Sequence, residues 1–183
     1  MPYTVTPTRL PEVCLVEPQV FGDQRGFFFE SFNQRDFEAS TGVSTVFVQD
    51  NHSRSARGVL RGLHYQIKHP QGKLVRVVSG VVLDVAVDLR RHSPRFGQSV
   101  TIELDAVRHQ QLWIPPGFAH GFLVLSDRAD FLYKTTDYWY PEHERSLLWN
   151  DPDLAIPWPA GLEPQLAAKD AAAKRLAEAE VFD

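Results

Sequence analysis

The chain has little with which to cross-link itself, chelate a metal or span a membrane. Of its 183 residues one is cysteine and one is methionine. Cys14, in the apolar run Val13-Cys14-Leu15-Val16, excludes an internal disulfide and reads as core filler. No run of about 18 apolar residues occurs, so no transmembrane helix is expected. Met1-Pro2-Tyr3-Thr4 has no basic flank leading into an apolar core, so no signal peptide is expected and a cytoplasmic location is. Positive charge is not in excess: 19 Lys and Arg stand against 23 Asp and Glu, a net charge of -4. That balance argues against broad nucleic-acid binding, and an anionic ligand must be held by a few placed cations. Internal repeats and low-complexity segments are also missing, as is any linker long enough to split domains.

The last absence concerns metal. Metal-binding strands of β-barrels place two histidines as His-x-His, because side chains two apart share a face. The strand-like stretch Gly58-Val59-Leu60-Arg61-Gly62-Leu63-His64-Tyr65-Gln66 carries one histidine and one arginine, and its second slot is Gln66. This pattern points to an acid/base site with no metal.

What is present suffices for one folded domain over 1–183: 43% of the residues are hydrophobic and 11% aromatic. Strand signals recur between Gly, Pro and Asn turns at Val13–Val20, Gly26–Phe32, Thr45–Gln49, Gly58–Ile67, Lys73–Ser79, Val81–Leu89, Gln98–Leu104, Gln111–Ile114, Ala119–Leu125 and Phe131–Tyr138. They predict an antiparallel sandwich or barrel. Val81 to Leu89 alternates, with Asp84 and Asp88 on the face opposite the odd apolar positions, so one face should pack and the other meet solvent or a pocket. Two helices are predicted, one after Asn33 ending at Gly42, the other from Ala171 to Glu180 with Asp170 as its N-cap. Pro152, Pro157, Pro159 and Pro164 separate the tail of about 165–183 from the sheets.

Each polar residue taken singly has a structural explanation: His64 as a hydrogen-bonded strand residue, Arg61 and Lys73 as surface charges, Tyr133 and Tyr138 as packing aromatics, Asp170 as a cap. Their density argues otherwise. Strand-like sequence is interrupted at Arg25, Glu30, Gln49, Asn51, Arg61, His64, Lys73, His120, Tyr133 and Tyr138, and buried charges need partners or a ligand. Arg61 and His64 are three apart and would face opposite sides of a regular strand. Gly62 between them suggests a bulge that turns both to one side.

These residues fall in motifs that resemble the dTDP-4-dehydrorhamnose 3,5-epimerases. The resemblance runs through Phe21-Gly22-Asp23-Gln24-Arg25-Gly26, Gln49-Asp50-Asn51-His52-Ser53, Leu60-Arg61-Gly62-Leu63-His64, Gln71-Gly72-Lys73, Asp84 to Arg90, Leu112-Trp113-Ile114-Pro115, Gly117 to Phe122, Tyr133-Lys134, Trp149-Asn150-Asp151-Pro152 and Lys169-Asp170, roughly the whole chain. It implies an all-β cupin jelly roll, working as a homodimer without metal or redox cofactor. By the resemblance His64 is the general base, Asp170 orients its imidazole and Tyr133 is the general acid. The implied substrate is dTDP-4-dehydro-6-deoxy-D-glucose, bound by Arg25, Glu30, Gln49, Asp50, Asn51, Arg61, Lys73, His120, Glu144 and Lys169, with Tyr138 stacked on thymine. Lys73, helped by Arg61 or His120, would stabilise the C4 oxyanion. Arg25 and Glu30 lie in N-terminal strands that the family exchanges between subunits. Two other readings fit the scaffold, an epimerase acting at C3 alone and a non-catalytic nucleotide-sugar-binding jelly roll. The presence of His64, Asp170 and Tyr133 together favours the enzyme, since a binder needs no base paired with an acid.

Overall fold

The computed structural model describes residues 2–161 and 163–183. Its strands sort into two antiparallel sheets and a separate hairpin. The first sheet has the order β1 (Thr4–Pro7), β2 (Cys14–Glu17), β10 (Gln111–Ile114), β7 (Lys73–Ser79), β12 (Arg128–Thr135) and β5 (Gln49–Ala56). The second runs β13 (Glu144–Ser146), β6 (Leu60–Gln66), β11 (Phe118–Val124), β8 (Val81–Asp88) and β9 (Ser99–Asp105). β3 (Val20–Asp23) and β4 (Gly26–Phe29) pair only with each other. The architecture is the cupin-like jelly-roll sandwich.

Strand alternation explains how three apolar layers arise. Val75 and Val77 of β7, Val82 and Ala86 of β8, Phe122 of β11 and Phe131 of β12 turn inward and form the core between the sheets. Phe122 and Phe131 stack with centroids 4.1 Å apart. The opposite face of the second sheet, with Leu63, Tyr65, Val85 and Val87, is covered by Ile156, Trp158, Leu176, Val181 and Phe182 of the C-terminal segment. The outer face of the first sheet packs Leu74 and Trp113 against Phe37 of α1 (Gln34–Thr41). That helix starts and stops where the sequence predicts: the Asn33 side chain accepts from the Asp36 N–H, and Gly42 closes it at φ 72°. Eight residues are too few for a helix to hold alone. Full burial of Phe37, worth about 2–3 kcal/mol, outweighs the cap at about 1 kcal/mol.

Three expectations are corrected. The tail forms no helix over Ala171–Glu180. It makes one turn, α2 (Ala168–Ala171), with Asp170 inside it and Ala167 at the cap, then a 3₁₀ turn at Leu176–Glu178. Its Ala, Lys and Glu residues favour helix, but pairing with the sheet overrides that preference: Leu148 N–H donates to Lys174 O, and Phe182 N–H to Leu89 O. In strand β8 the odd positions Val85 and Val87 pack under the tail as expected, but the face that carries the two aspartates turns inward and meets neither solvent nor the open cavity. Its Asp88 is fully buried and accepts from Arg90 and Ser93, while the fully buried Asp84 meets His120. Finally, Thr45–Val48 is not a strand; the strand begins at Gln49 and continues through polar residues that an apolar pattern does not reveal. The short strands β1 and β13 were likewise not expected.

The Gly62 bulge is present. Against β11 the register runs His64↔His120 and then Arg61↔Phe122, so β6 spends one extra residue. Gly62 has φ 114°, and a Cβ there would lie 2.7 Å from Gly121 Cα and from His120 O. Gly62→Ala should therefore combine a strained backbone with a clash against main chain, destabilising by roughly 2 kcal/mol or more. Thermal unfolding should show a drop of about 4–8 °C; an unchanged midpoint would mean the two strands are not packed this closely.

Candidate active site

A cavity of about 340 Å³ opens between the sheets. The strands deliver opposite chemistry to its two sides. From the second sheet, β6 contributes Arg61, His64 and Gln66, and the neighbouring β11 contributes His120, which is in register with His64. From the first sheet come Gln49, Asn51 and Ser53 of β5, Lys73 of β7 and Tyr133 of β12. Glu144 and Lys169 close one side, joined by an ion pair at 3.0 Å. Phe122 and Phe131, the stacked core pair, also line it.

His64 is held by the C-terminal turn. Its Nε2 lies 2.6 Å from Asp170 Oδ1, and Asp170 Oδ2 accepts the Gly62 N–H at 3.3 Å. Burial alone would raise the Asp170 pKa, but the bonds from His64 and Gly62 and the charge of Lys169 bring it below the usual carboxylate value. The carboxylate therefore stays ionised and accepts a hydrogen bond from the Nε2–H, which leaves the lone pair on Nδ1. A second pair lies alongside: His120 Nε2 is 3.0 Å from Asp84 Oδ2. Burial lowers the His120 pKa more than Asp84 raises it, so this imidazole is neutral near pH 7.

On the facing wall, burial and the charge of Glu144 raise the Tyr133 pKa, opposed by Arg61, so its phenol keeps its proton. Lys73 is deeply buried, and desolvation pulls its pKa down to about 8 against the pull of Glu144 and Asp84. Arg61 donates its Nε–H to Ser55 Oγ at 2.9 Å. Asn51 Oδ1 accepts from Gln49, while the buried Asn51 Nδ2 has no partner among the described residues. An orphaned amide donor in a cavity is a place for a ligand oxygen. No grouping of three or more His, Cys, Asp or Glu among the described residues could hold a metal ion.

The chain belongs to the dTDP-4-dehydrorhamnose 3,5-epimerase family. The model of that family matches residues 7–178. A dTDP-4-dehydrorhamnose 3,5-epimerase of Pseudomonas aeruginosa is 64% identical over 173 residues, 94% of this chain and 96% of that protein. The crystal structure of a dTDP-6-deoxy-D-glucose-3,5-epimerase from Legionella pneumophila, in complex with dTDP-4-keto-L-rhamnose, superposes with a TM-score of 0.95. It is 53% identical, and the match covers 97% of this chain and 95% of that one. A 3'-monoepimerase from Streptomyces bikiniensis in complex with dTDP-quinovose gives 0.88 at 36% identity, covering 93% and 87%.

Of the residues expected at the site, His64, Asp170 and Tyr133 converge with Gln49, Asn51, Arg61, Lys73, His120, Glu144 and Lys169. Besides Asp170, which backs His64 without lining the cavity, four do not line the cavity of their own chain. Asp50 alternates to the other face of β5 and pairs with Lys134 at 2.9 Å. Arg25 sits on the β3–β4 hairpin, its side chain exposed and paired with Asp23; Glu30 follows directly after β4. Tyr138 is 56% exposed beside the mouth, and its neighbour Trp139 lines the cavity instead. Sequence reasoning missed Trp139, although three adjacent aromatics, Tyr138-Trp139-Tyr140, just after a strand offered the signal. It also missed the Asp84–His120 pair, which no local spacing announces.

The electrostatics give a direct check. Lys73 should carry its charge below about pH 8 and lose it above. In ¹⁵N-lysine NMR its Nζ should titrate near that value while surface lysines titrate near about 10.4. A Lys73 that titrates with the surface lysines would mean the cavity is open to water.

Proposed function

We propose that this isomerase inverts C3 and C5 of dTDP-4-dehydro-6-deoxy-D-glucose to give dTDP-4-dehydro-L-rhamnose, in dTDP-L-rhamnose biosynthesis. The observation that carries the reading is the placement of a carboxylate-backed histidine on one wall of the cavity and a protonated tyrosine on the other. Inversion of a carbon needs a base on one face and an acid on the opposite face.

The C4 ketone acidifies the hydrogens on both neighbouring carbons, so a single enolate-forming site serves both. His64 takes the proton from carbon, and Asp170 stabilises the imidazolium that results. The electron pair moves into C4–O, where Lys73 and the hydrogen bonds of the Arg61 and His120 region meet the developing oxyanion. Tyr133 then gives its proton to the opposite face of the same carbon. The imidazolium loses its proton to water and the phenolate regains one, so the enzyme is restored with no net redox change. Arg61, Lys169 and the free Asn51 amide suit the oxygens of an anionic nucleotide sugar, with Gln49 and Glu144 completing the binding set.

Tyr133→Phe keeps the ring and its packing but removes the proton. The enolate should still form, so in deuterated water the substrate should exchange while L-lyxo product falls by at least about a hundredfold, the scale of a lost positioned acid. His64→Asn should abolish exchange at both carbons. Proton NMR reads both, and doubly inverted product at near wild-type rate from Tyr133→Phe would overturn the assignment. Product inverted at C3 alone from the wild type would move the protein to the monoepimerase reading.

We also propose a cytoplasmic homodimer. Phe27 and Phe28 on the β3–β4 hairpin are 63% and 65% exposed, an apolar arm that bonds to neither sheet of its own chain. In a dimer this arm would bring Arg25 and Glu30 into the binding surface of a neighbouring cavity. Light scattering should give twice the chain mass of 20.8 kDa; a monomer would overturn this part alone.

A further inference from the structure

Gln66 stands two residues after His64, at the slot where a metal-binding strand would carry its second ligand, and it is almost fully buried. Its amide is committed elsewhere. Nε2 donates to His69 O at 2.8 Å and to Tyr138 O at 3.2 Å, and Oε1 accepts the Tyr140 N–H at 2.8 Å. Two other glutamines act on the same short segment. Gln71 Nε2 donates to Asp137 O at 2.9 Å, and Gln49 Oε1 accepts the Trp139 N–H at 3.2 Å. Four successive residues, Asp137 to Tyr140, thus each have a main-chain group held by a glutamine side chain. Gln49 comes from the first sheet and Gln66 from the second, so the segment is tied to both walls across the cavity mouth.

Apolar burial does not hold this segment, because Tyr138 and Trp139 are each 56% exposed. Polar contacts do so: the glutamine amides, with the His69–Asp137 ion pair at 3.4 Å, the Thr135 hydroxyl donating to Asp137 O at 2.9 Å and the Tyr140 ring stacked on His69. Only a side chain with both a donor and an acceptor can serve a carbonyl and an N–H in the same stretch, which is the chemistry of Gln at position 66. What the segment presents to the cavity is the Trp139 indole.

We propose that Gln66, with Gln49 and Gln71, is a positioning residue that holds Trp139 as a rigid rim for the nucleotide half of the substrate. This rests on the function proposed above. With the sugar ring seated between His64 and Tyr133, the diphosphate and base must leave through the mouth, past that indole. A rim fixed before binding spares the ordering that a loose loop would undergo.

The test uses the full chain, with dTDP affinity read by calorimetry and KM and kcat by product NMR. Gln66→Leu should weaken dTDP binding about tenfold and raise KM by a similar factor, the loss falling on KM more than on kcat. Trp139→Ala should do the same, and Gln66→Leu added to Trp139→Ala should change affinity by less than about twofold, since both remove one rim. Gln71→Leu, which breaks a single bond, should show a smaller loss of the same kind and keeps the test open if Gln66→Leu does not fold. Independent, multiplicative losses in the double variant, or unchanged dTDP affinity in Gln66→Leu and Gln71→Leu, would overturn the inference. A wild type that fails to bind dTDP would instead overturn the proposed substrate.

Discussion

The contact between His64 and Asp170 ties the C-terminal tail to the wall of the cavity. It lies between a central strand and a four-residue turn 106 positions further along the chain. For Asp170 to reach His64, the tail must lie along the outer face of the second sheet. For His64 to face the cavity along with Arg61, β6 must be bulged at Gly62. The same carboxylate satisfies the Gly62 N–H, so the irregularity in the strand and the orientation of His64 are fixed by one side chain. Leu176, Val181 and Phe182 anchor the tail by apolar burial, and Asp151 holds the Leu176 N–H at 2.6 Å. Removing a partner from a buried, charge-assisted pair costs about 1.5–3 kcal/mol, more than a typical surface ion pair such as Lys134–Asp50 contributes.

Two His–Asp pairs sit side by side in this sheet, but their surroundings separate their roles. Asp170 belongs to the C-terminal tail that reaches in from outside, and His64 is partly open to the cavity. Asp84 and His120 are both core residues of adjacent strands, with nearly no exposure. Burial keeps the His120 imidazole neutral as a fixed hydrogen-bonding group, whereas the His64 ring is open to the cavity and to what enters it.

Much of this was legible in the sequence because it is local. Alternation of Val and Leu marked β7 and β8, Asn33 and Gly42 bracketed α1, and a lone histidine two residues after a glycine marked both a cavity wall and the bulge. The tail misled because its Ala, Lys and Glu residues carry helix preference, while its conformation is decided by sheet residues a hundred positions away. β5 was misplaced because a strand that lines a polar cavity is polar on its inner face, so Gln49, Asn51 and Ser53 do not register as a buried pattern. Family motifs supplied the site residues together, yet could not tell that Asp50 and Tyr138 face away from the cavity of their own chain while Trp139 faces in.

The two walls of the cavity belong to different sheets, and the distance between them is filled beneath the site by the stacked rings of Phe122 and Phe131. These rings act as a spacer. Close-packed interiors transmit a change of volume as a shift of backbone, so a substitution in this aromatic pair would alter the gap between His64 and Tyr133 without replacing any ionisable group. Core composition and stereochemical outcome are therefore coupled in this fold: the hydrophobic layer that stabilises the sandwich also sets the gauge of its chemistry.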